Sequence, residues 1–157
     1  MAATLAPRQA DLYAAEAETI GSLGLRWTRL TSAQAYVDAL IGSAWFFERW
    51  PWFVRCTVER RGSGSRWSTC SPLDANGPAA RPTEGVVLLA AGCLVQPVLL
   101  HELSHLLVPR DAGHGVDFAR TLLVLVRHEM GFFAFAEFAH ALRSRDSFRD
   151  LEMNDAG

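Results

Sequence analysis

The residues of this chain that are most suited to chemistry lie in one stretch, "LLHELSHLLVPRDAGHGVDFA", at positions 99–119. Side chains four positions apart share one face of a helix, so His101 and His105 can bind the same metal ion. Glu102 is rotated by one residue from His101, which keeps its carboxylate out of the ligand set but within reach of a water at the metal. Catalytic zinc commonly has three protein ligands, and His114 follows in the next turn. The pattern predicts a zinc site of His101, His105 and His114, with Glu102 as general base.

These side chains need a helix and a turn to bring them together. Pro97 suits the first position of a helix after Gln96, and Pro109 ends that helix about three turns later. Three leucines at helical spacing are expected to face the core: Leu99, Leu103 and Leu106.

The segment "PRDAGHGVDF" follows this helix and predicts a turn. Gly113 and Gly115 give the backbone the freedom to bend back and present His114. A second helix is expected over "VDFARTLLVLV", ending near Gly131. Its apolar residues are expected to pack on the histidine-bearing helix, and they are Phe118, Leu122 and Leu125.

Two carboxylates are alternatives to His114 as the third ligand. Asp111 lies six residues after His105, where metzincin-type sites have their last ligand, but Val108 stands where that chain type has a glycine. Glu129 would complete a set of two histidines and one glutamate.

Three nearby polar residues have two interpretations each. Asp117 is either an acceptor that orients a ligating imidazole or a carboxylate in the first turn of a helix. Arg127 and His128 either stabilise an oxyanion or complement the negative end of a helix dipole.

The rest of the chain predicts further helices and strands. A helix is expected over 8–21, with its core-facing residues at Leu12, Ala15 and Ile20. A second helix is expected to begin at Thr31 or Ser32 and to be stopped by Pro51, with an apolar stripe of Tyr36, Leu40 and Phe47. A strand is predicted at "WFVRCTVER", forming a hairpin with a strand around "RWSTC", and residues 71–82 read as a loop. The segment "EGVVLLA" predicts a buried strand and is the candidate for an edge that aligns an extended substrate.

Composition restricts the class of protein. With 157 residues, 50% hydrophobic and 20% charged, the chain fits one globular domain over 1–157, with flexible ends at 1–8 and 147–157. A net charge of -2 does not favour a general nucleic-acid partner. The arginines between 49 and 66 alternate with tryptophans and could bind nucleic acid or an acidic partner, but the pattern favours solvated arginines beside core tryptophans. The three cysteines are widely spaced and the chain does not begin like a signal peptide, which predicts a cytoplasmic protein. The sequence also has no apolar run of about 20 residues, so we expect no membrane segment.

The motifs "HELSH" and "HGVDF" resemble those of SprT-like and related small zincin metallopeptidases. The chain is still more similar to a family of short actinobacterial metallohydrolases at "DLYAAE", "LLHELSHLL", "HGVDFARTLL" and "RHEMG". This resemblance implies His101, His105 and His114 as metal ligands and Glu102 as catalytic acid and base. The predicted helices and strands together indicate an α+β fold, a small zincin-like domain whose helical layer carries HExxH beside a short, partly antiparallel sheet. The cysteine-rich ribbon and basic tail of SprT proteins are missing, which argues against a DNA-repair role.

Three functions follow. The first is a zinc metallopeptidase acting on a protein or peptide, in which Glu102 takes a proton from the attacking water and returns it to the leaving amine. The second is a regulatory protease that cleaves a repressor, although "GVDFARTLL" matches the element of that class only by half. The third is a binding module that a metal stabilises without catalysis.

Overall fold

The computed structural model describes residues 6–74 and 81–152. Over these residues it shows a mixed α+β protein with six α-helices and one three-stranded sheet. This confirms the α+β class. Within the described chain, no helix is long and apolar enough to cross a membrane.

The backbone contacts divide the chain into two compact units. One consists of residues Leu25–Asp111 and contains the sheet. The other is built from helices near the two ends of the chain. The predicted flexible ends lie partly outside the described residues, at 1–5 and 153–157.

The sheet of the first unit has strands β1 (Arg55–Arg60), β2 (Thr69–Pro72) and β3 (Glu84–Leu89) in the order β1-β3-β2. β1 pairs with β3 in parallel, and β2 pairs with β3 antiparallel. The predicted hairpin of the first two strands is therefore wrong, because each of them pairs with the later, more apolar β3. The central place of β3 also removes its predicted role as a substrate-binding edge. Of the predicted loop 71–82, residues 71–72 belong to β2 and residues 75–80 lie outside the described residues.

Two helices precede the sheet, α2 (Leu30–Ile41) and α3 (Ala44–Arg49), where the sequence predicted one. The Ser43 hydroxyl accepts a hydrogen bond from the backbone N–H of Phe46 and so caps a new helix. This break changes the phase of the apolar stripe. Phe46 is buried, while Phe47 is 64% exposed, so the expected inward position of Phe47 is wrong.

Helix α2 packs against β1 and covers its outer edge. The Gln34 amide donates to the carbonyl of Cys56 at 2.8 Å, and its oxygen accepts from the backbone N–H of Val58 at 2.7 Å. One glutamine side chain thus takes the place of a neighbouring strand for these two backbone groups. Helix α4 (Gln96–Leu107) follows β3 and packs on β2 and β3.

The second unit contains α1 (Pro7–Glu18), α5 (Val116–Met130) and α6 (Phe132–Arg143). The predicted core positions in α1 and α5, and Ile20 just after α1, are all fully buried: Leu12, Ala15, Ile20, Phe118, Leu122 and Leu125. Helix α6 packs on both α1 and α5. Arg145 pairs with Glu18 at 2.7 Å, and this ion pair joins the segment after α6 to α1.

Candidate metal centre

The start of α4 is anchored by the side chain of Gln96, which is only 2% exposed. Its carbonyl oxygen accepts from the backbone N–H of Leu25 at 3.0 Å, and its amide donates to the Tyr36 hydroxyl at 2.9 Å. The backbone N–H of Gln96 donates to the carbonyl of Leu25 at 2.8 Å. These bonds satisfy a buried amide and give the first turn of α4 a defined position.

The approach of α4 to the sheet depends on Gly85 in β3. A Cβ atom at this position would lie 2.6 Å from Cδ1 of Leu106 and 2.8 Å from its Cδ2. Gly85 and Val87 share one face of β3, and Cys70 of β2 is directly opposite Val87. Cys70 therefore lies on the face of the sheet that α4 covers.

The histidines and the glutamate of the HExxH motif lie in the middle of α4. His101 is 7% exposed and Glu102 is 8% exposed, while His105 is half-buried. The rings of His101 and His105 meet edge to face with centroids 5.1 Å apart. The leucines at helical spacing in α4 are buried as predicted: Leu99, Leu103 and Leu106. The sequence thus predicts correctly which helix carries the two histidines.

Glu102 has a neighbour that the sequence did not indicate. The Cys70 thiol forms a hydrogen bond with the Glu102 carboxylate. Burial, followed by the negative charge of Glu102 and this hydrogen bond, raises the pKa of the Cys70 thiol. The Cys70 thiol therefore keeps its proton and can donate it in the hydrogen bond to Glu102.

His114 follows a short 3-10 helix at Arg110–Ala112. The turn depends on its glycines as predicted: Gly113 has a φ of 53°, and a Cβ atom on Gly115 would lie 2.9 Å from the carbonyl oxygen of Ala112. The His114 ring contacts Tyr13 edge to face at 5.3 Å between centroids and Phe118 at 5.1 Å. Its Nε2 atom lies 3.4 Å from the Tyr13 hydroxyl.

The ligand atoms of His101, His105 and His114 all lie within 4.8 Å of one another. Two nitrogens bound to one tetrahedral zinc at about 2.0–2.1 Å are separated by about 3.3 Å, so the limit of 4.8 Å exceeds that spacing by no more than roughly 1.5 Å. Neutral imidazole is a ligand that zinc, copper, iron and nickel accept. The three histidines are therefore close enough to bind a metal ion.

The alternative ligands are placed differently. Within the described residues, the group that could hold a metal consists of the three histidines and includes neither Asp111 nor Glu129. Asp111 is exposed in the 3-10 helix. Glu129 lies 2.7 Å from Nδ1 of His128, its neighbour in α5.

The polar residues with two interpretations lie on α5. Asp117 is 73% exposed and lies 3.9 Å from Arg120, as a carboxylate in the first turn of a helix would. Arg127 stacks on the ring of Phe135 at 5.3 Å. These contacts favour the interpretation of Asp117 and Arg127 as ordinary helix residues that have no role in the metal site.

Two residues beside the site were missed by sequence reasoning, Tyr13 and Cys70. Tyr13 stands in "DLYAAE", a motif that carries the family resemblance but indicates no role for the tyrosine. No sequence pattern placed Cys70 beside Glu102, because this contact depends on the pairing of β2 with a strand that follows later in the chain.

Comparison with protein-family models, curated proteins and solved structures finds no match to this chain. The fold and the site therefore define its class by themselves. It is an α+β protein with a three-histidine cluster that can hold a metal ion.

Proposed function

We propose that this chain is a zinc-dependent hydrolase of the HExxH type that cleaves peptide bonds. The observation that carries the proposal is the cluster of His101, His105 and His114, whose ligand atoms lie within 4.8 Å of one another. A carboxylate, Glu102, lies on the same helix as two of these ligands and is mostly shielded from bulk water. Three imidazoles leave the fourth position of a tetrahedral ion for water or substrate, as in catalytic zinc sites.

The residues of the chain have separate roles in this proposal. The three histidines bind the ion, which when bound polarises a substrate carbonyl and acidifies water. Glu102 accepts one proton from the attacking water as the new C–O bond forms. It delivers this proton to the amide nitrogen as the C–N bond breaks, which releases a carboxylate and an amine.

Cys70 has a positioning role. Its thiol hydrogen bond and the low exposure of Glu102 restrict the directions in which the carboxylate can point. A general base must lie within hydrogen-bond reach of the proton that it takes, so this restriction contributes to the alignment of Glu102.

An extended substrate would pair with an edge of the sheet. Gln34 already occupies backbone groups on the outer side of β1, and β3 is central. Among the described strands, β2 is the remaining edge, and its Cys70 contacts Glu102. We therefore expect β2 to align the substrate.

A Glu102→Gln variant tests the proposal most simply. The purified wild-type protein should bind one equivalent of zinc and cleave peptides in a digest of casein, with new termini identified by mass spectrometry. Glu102→Gln removes the proton acceptor but keeps the size of the side chain. Loss of general-base catalysis should lower the cleavage rate by about 100-fold or more while zinc binding is retained.

Glu129→Gln is the matched control, because it makes the same chemical change on α5 outside the histidine cluster. It should keep both zinc and activity. Loss of zinc in this control would favour the set of two histidines and a glutamate. If the wild-type protein binds zinc, unfolds when zinc is removed and cleaves nothing, a metal-stabilised binding module becomes the better explanation.

A further inference from the structure

We propose that the outer edge of β2 selects extended peptide segments in which large apolar side chains flank a small residue. The flanking side chains lie on the open face of the sheet beside Thr69 and Ser71, and the small residue lies opposite Cys70. The inference rests on the proposed function, because it names the class of substrate. It uses residues of the first unit alone, Leu25–Asp111.

The backbone groups of β2 are divided between its two sides. The N–H of Leu73, just after β2, donates to the carbonyl of Glu84 at 3.0 Å, and this pair continues the register of β2 with β3. In an antiparallel pair, every second residue bonds to the partner strand. Thr69 and Ser71 therefore bond to β3, and Cys70 points its N–H and C=O groups outward.

Pro72 also lies on the outward-pointing side of this alternation. Proline has no N–H, so it is found in sheets where that side of the strand has no ladder partner. Among the described residues, no backbone bond from a loop or turn reaches Cys70 or Pro72. The edge thus offers a donor and an acceptor at Cys70 and an acceptor at Pro72, which an extended peptide backbone can match.

The two faces of the sheet differ in how they are covered. Helix α4 lies on the face of Gly85, as the closeness of Leu106 shows. Alternation along β3 puts Glu84 on the opposite face, together with its partner Arg55. These two side chains form an ion pair and are 31% and 65% exposed. This second face is the open face of the sheet.

The open face has small residues at the edge and apolar residues behind them. Ser71 is exposed and lies opposite Val86. Thr69 is half-buried and lies opposite Leu88. Val86 and Leu88 are themselves half-buried. On the other face, Cys70 lies under α4, so the peptide residue opposite Cys70 must be small.

A peptide strand at this edge lies two strand spacings, or about 9.5 Å, from β3. Its residues opposite Ser71 and Thr69 have their side chains on the open face. Long apolar side chains can lean across these small residues toward Val86 and Leu88, and short ones cannot. The geometry therefore favours a pattern of large, small and large side chains along the bound segment.

The experiment measures the binding of fluorescein-labelled peptides to the full Glu102→Gln chain by fluorescence anisotropy, so that no probe is cleaved. Two probes have the same composition in a frame of serines, with Phe-Ala-Phe or Phe-Phe-Ala at the centre. Phe-Ala-Phe puts both rings on the open face, whereas Phe-Phe-Ala puts one there. We expect Phe-Ala-Phe to bind about 5-fold more tightly. Equal affinity, or no binding of either probe, overturns the inference.

Two methylated probes test the strand pairing itself. Successive N–H groups of an extended strand point to opposite sides, so one of two neighbouring N–H groups faces β2 and the other faces solvent. The alanine or the second phenylalanine of Phe-Ala-Phe is N-methylated. Binding should weaken about 5-fold for one of these probes and stay unchanged for the other. Equal effects at both positions would contradict pairing at the edge.

Ser71→Glu should change the preference, because it places a negative charge beside the flanking side chains. We expect it to bind Phe-Ala-Phe about 5-fold more weakly and a Lys-Ala-Lys probe about 5-fold more tightly. Thr57→Glu is the matched control, since Thr57 lies on the same face opposite Val86 but on β1. It is about 14 Å from the bound peptide and should change neither affinity by more than about 2-fold at physiological salt. Equal effects of the two variants would contradict the assigned position of the peptide.

Failure of the proposed function gives a different result. If the Glu102→Gln chain binds the probes in the expected order and the wild-type protein cleaves none of them, the hydrolase proposal fails and the peptide-binding edge stands. If the wild-type protein cleaves casein peptides but the chain binds Phe-Ala-Phe and Phe-Phe-Ala equally, the inference is wrong and the hydrolase proposal stands.

Discussion

Substituting Gly85 by alanine should destabilise the contact between β3 and α4. The new Cβ atom would lie 2.6 Å from Cδ1 of Leu106, about 1 Å closer than ordinary carbon contacts allow. Leu106 is only 1% exposed, so its methyl groups must displace other core atoms. Overpacking of this kind costs about 1–3 kcal/mol, and the loss of glycine flexibility in the unfolded chain offsets up to about 1 kcal/mol.

We therefore expect Gly85→Ala to lower the free energy of unfolding by about 1–2 kcal/mol, measured by urea unfolding. For a chain of this size the melting temperature should fall by about 2–8 °C. Gly62→Ala is the control, since a Cβ atom at Gly62 meets nothing within 4 Å. Its effect should stay within about 0.5 kcal/mol.

A double variant tests the reason for the effect. Leu106→Ala alone should cost about 2–5 kcal/mol, because it leaves a cavity. In the double variant, Gly85→Ala with Leu106→Ala, the new methyl group enters the space that Leu106 leaves. The double variant should therefore lose less free energy of unfolding than the sum of the two single variants, by about 1 kcal/mol or more. Additive effects would refute the proposed contact.

Further predictions concern the metal, a thiol and a helix cap. Added zinc at about 100 times its dissociation constant should stabilise the chain by about 2.7 kcal/mol in a thermal melt, and His105→Ala should abolish this gain; an equal gain in the variant would contradict the ligand set. Burial raises the pKa of the Cys56 thiol from 9.0 to about 12, so the folded chain keeps a proton that the unfolded chain loses. Stability should therefore fall as the pH rises above about 9, by up to about 1.4 kcal/mol per unit, and less steeply in Cys56→Ala; identical slopes would argue against it. Ser43→Ala removes the cap of α3 and should cost about 1 kcal/mol in urea unfolding, whereas no change would show that the cap is dispensable.

The sequence predicted those parts of the fold that depend on local signals. Pro97 and Pro109 bracket α4, and the spacing of its leucines sets the buried face. The spacing of apolar residues also predicted α1 and α5. The cluster of three histidines was also predictable, because two of them share a helix face and the third follows in a glycine turn.

Features that depend on distant contacts were not predicted. The pairing of β1 and β2 with β3 joins residues across a long connection, and alternation along a strand does not identify its partner. Helix α6 was not predicted, since it follows directly on the glycine that ends α5 and has no capping side chain at its start. Tyr13 and His114 are 101 positions apart in the sequence, and only the folding of the second unit brings them into contact. The functional roles of the histidines and of Glu102, the zincin-like fold and the cytoplasmic location remain predictions.

The X-ray absorption spectrum of zinc in the purified protein tests the central claim most directly. We predict one zinc per chain with three imidazole nitrogens at about 2.0–2.1 Å and one oxygen in the remaining position. Sulfur ligands at about 2.3 Å, fewer than three imidazoles, or a protein that retains no zinc would contradict the claim that His101, His105 and His114 form a metal centre.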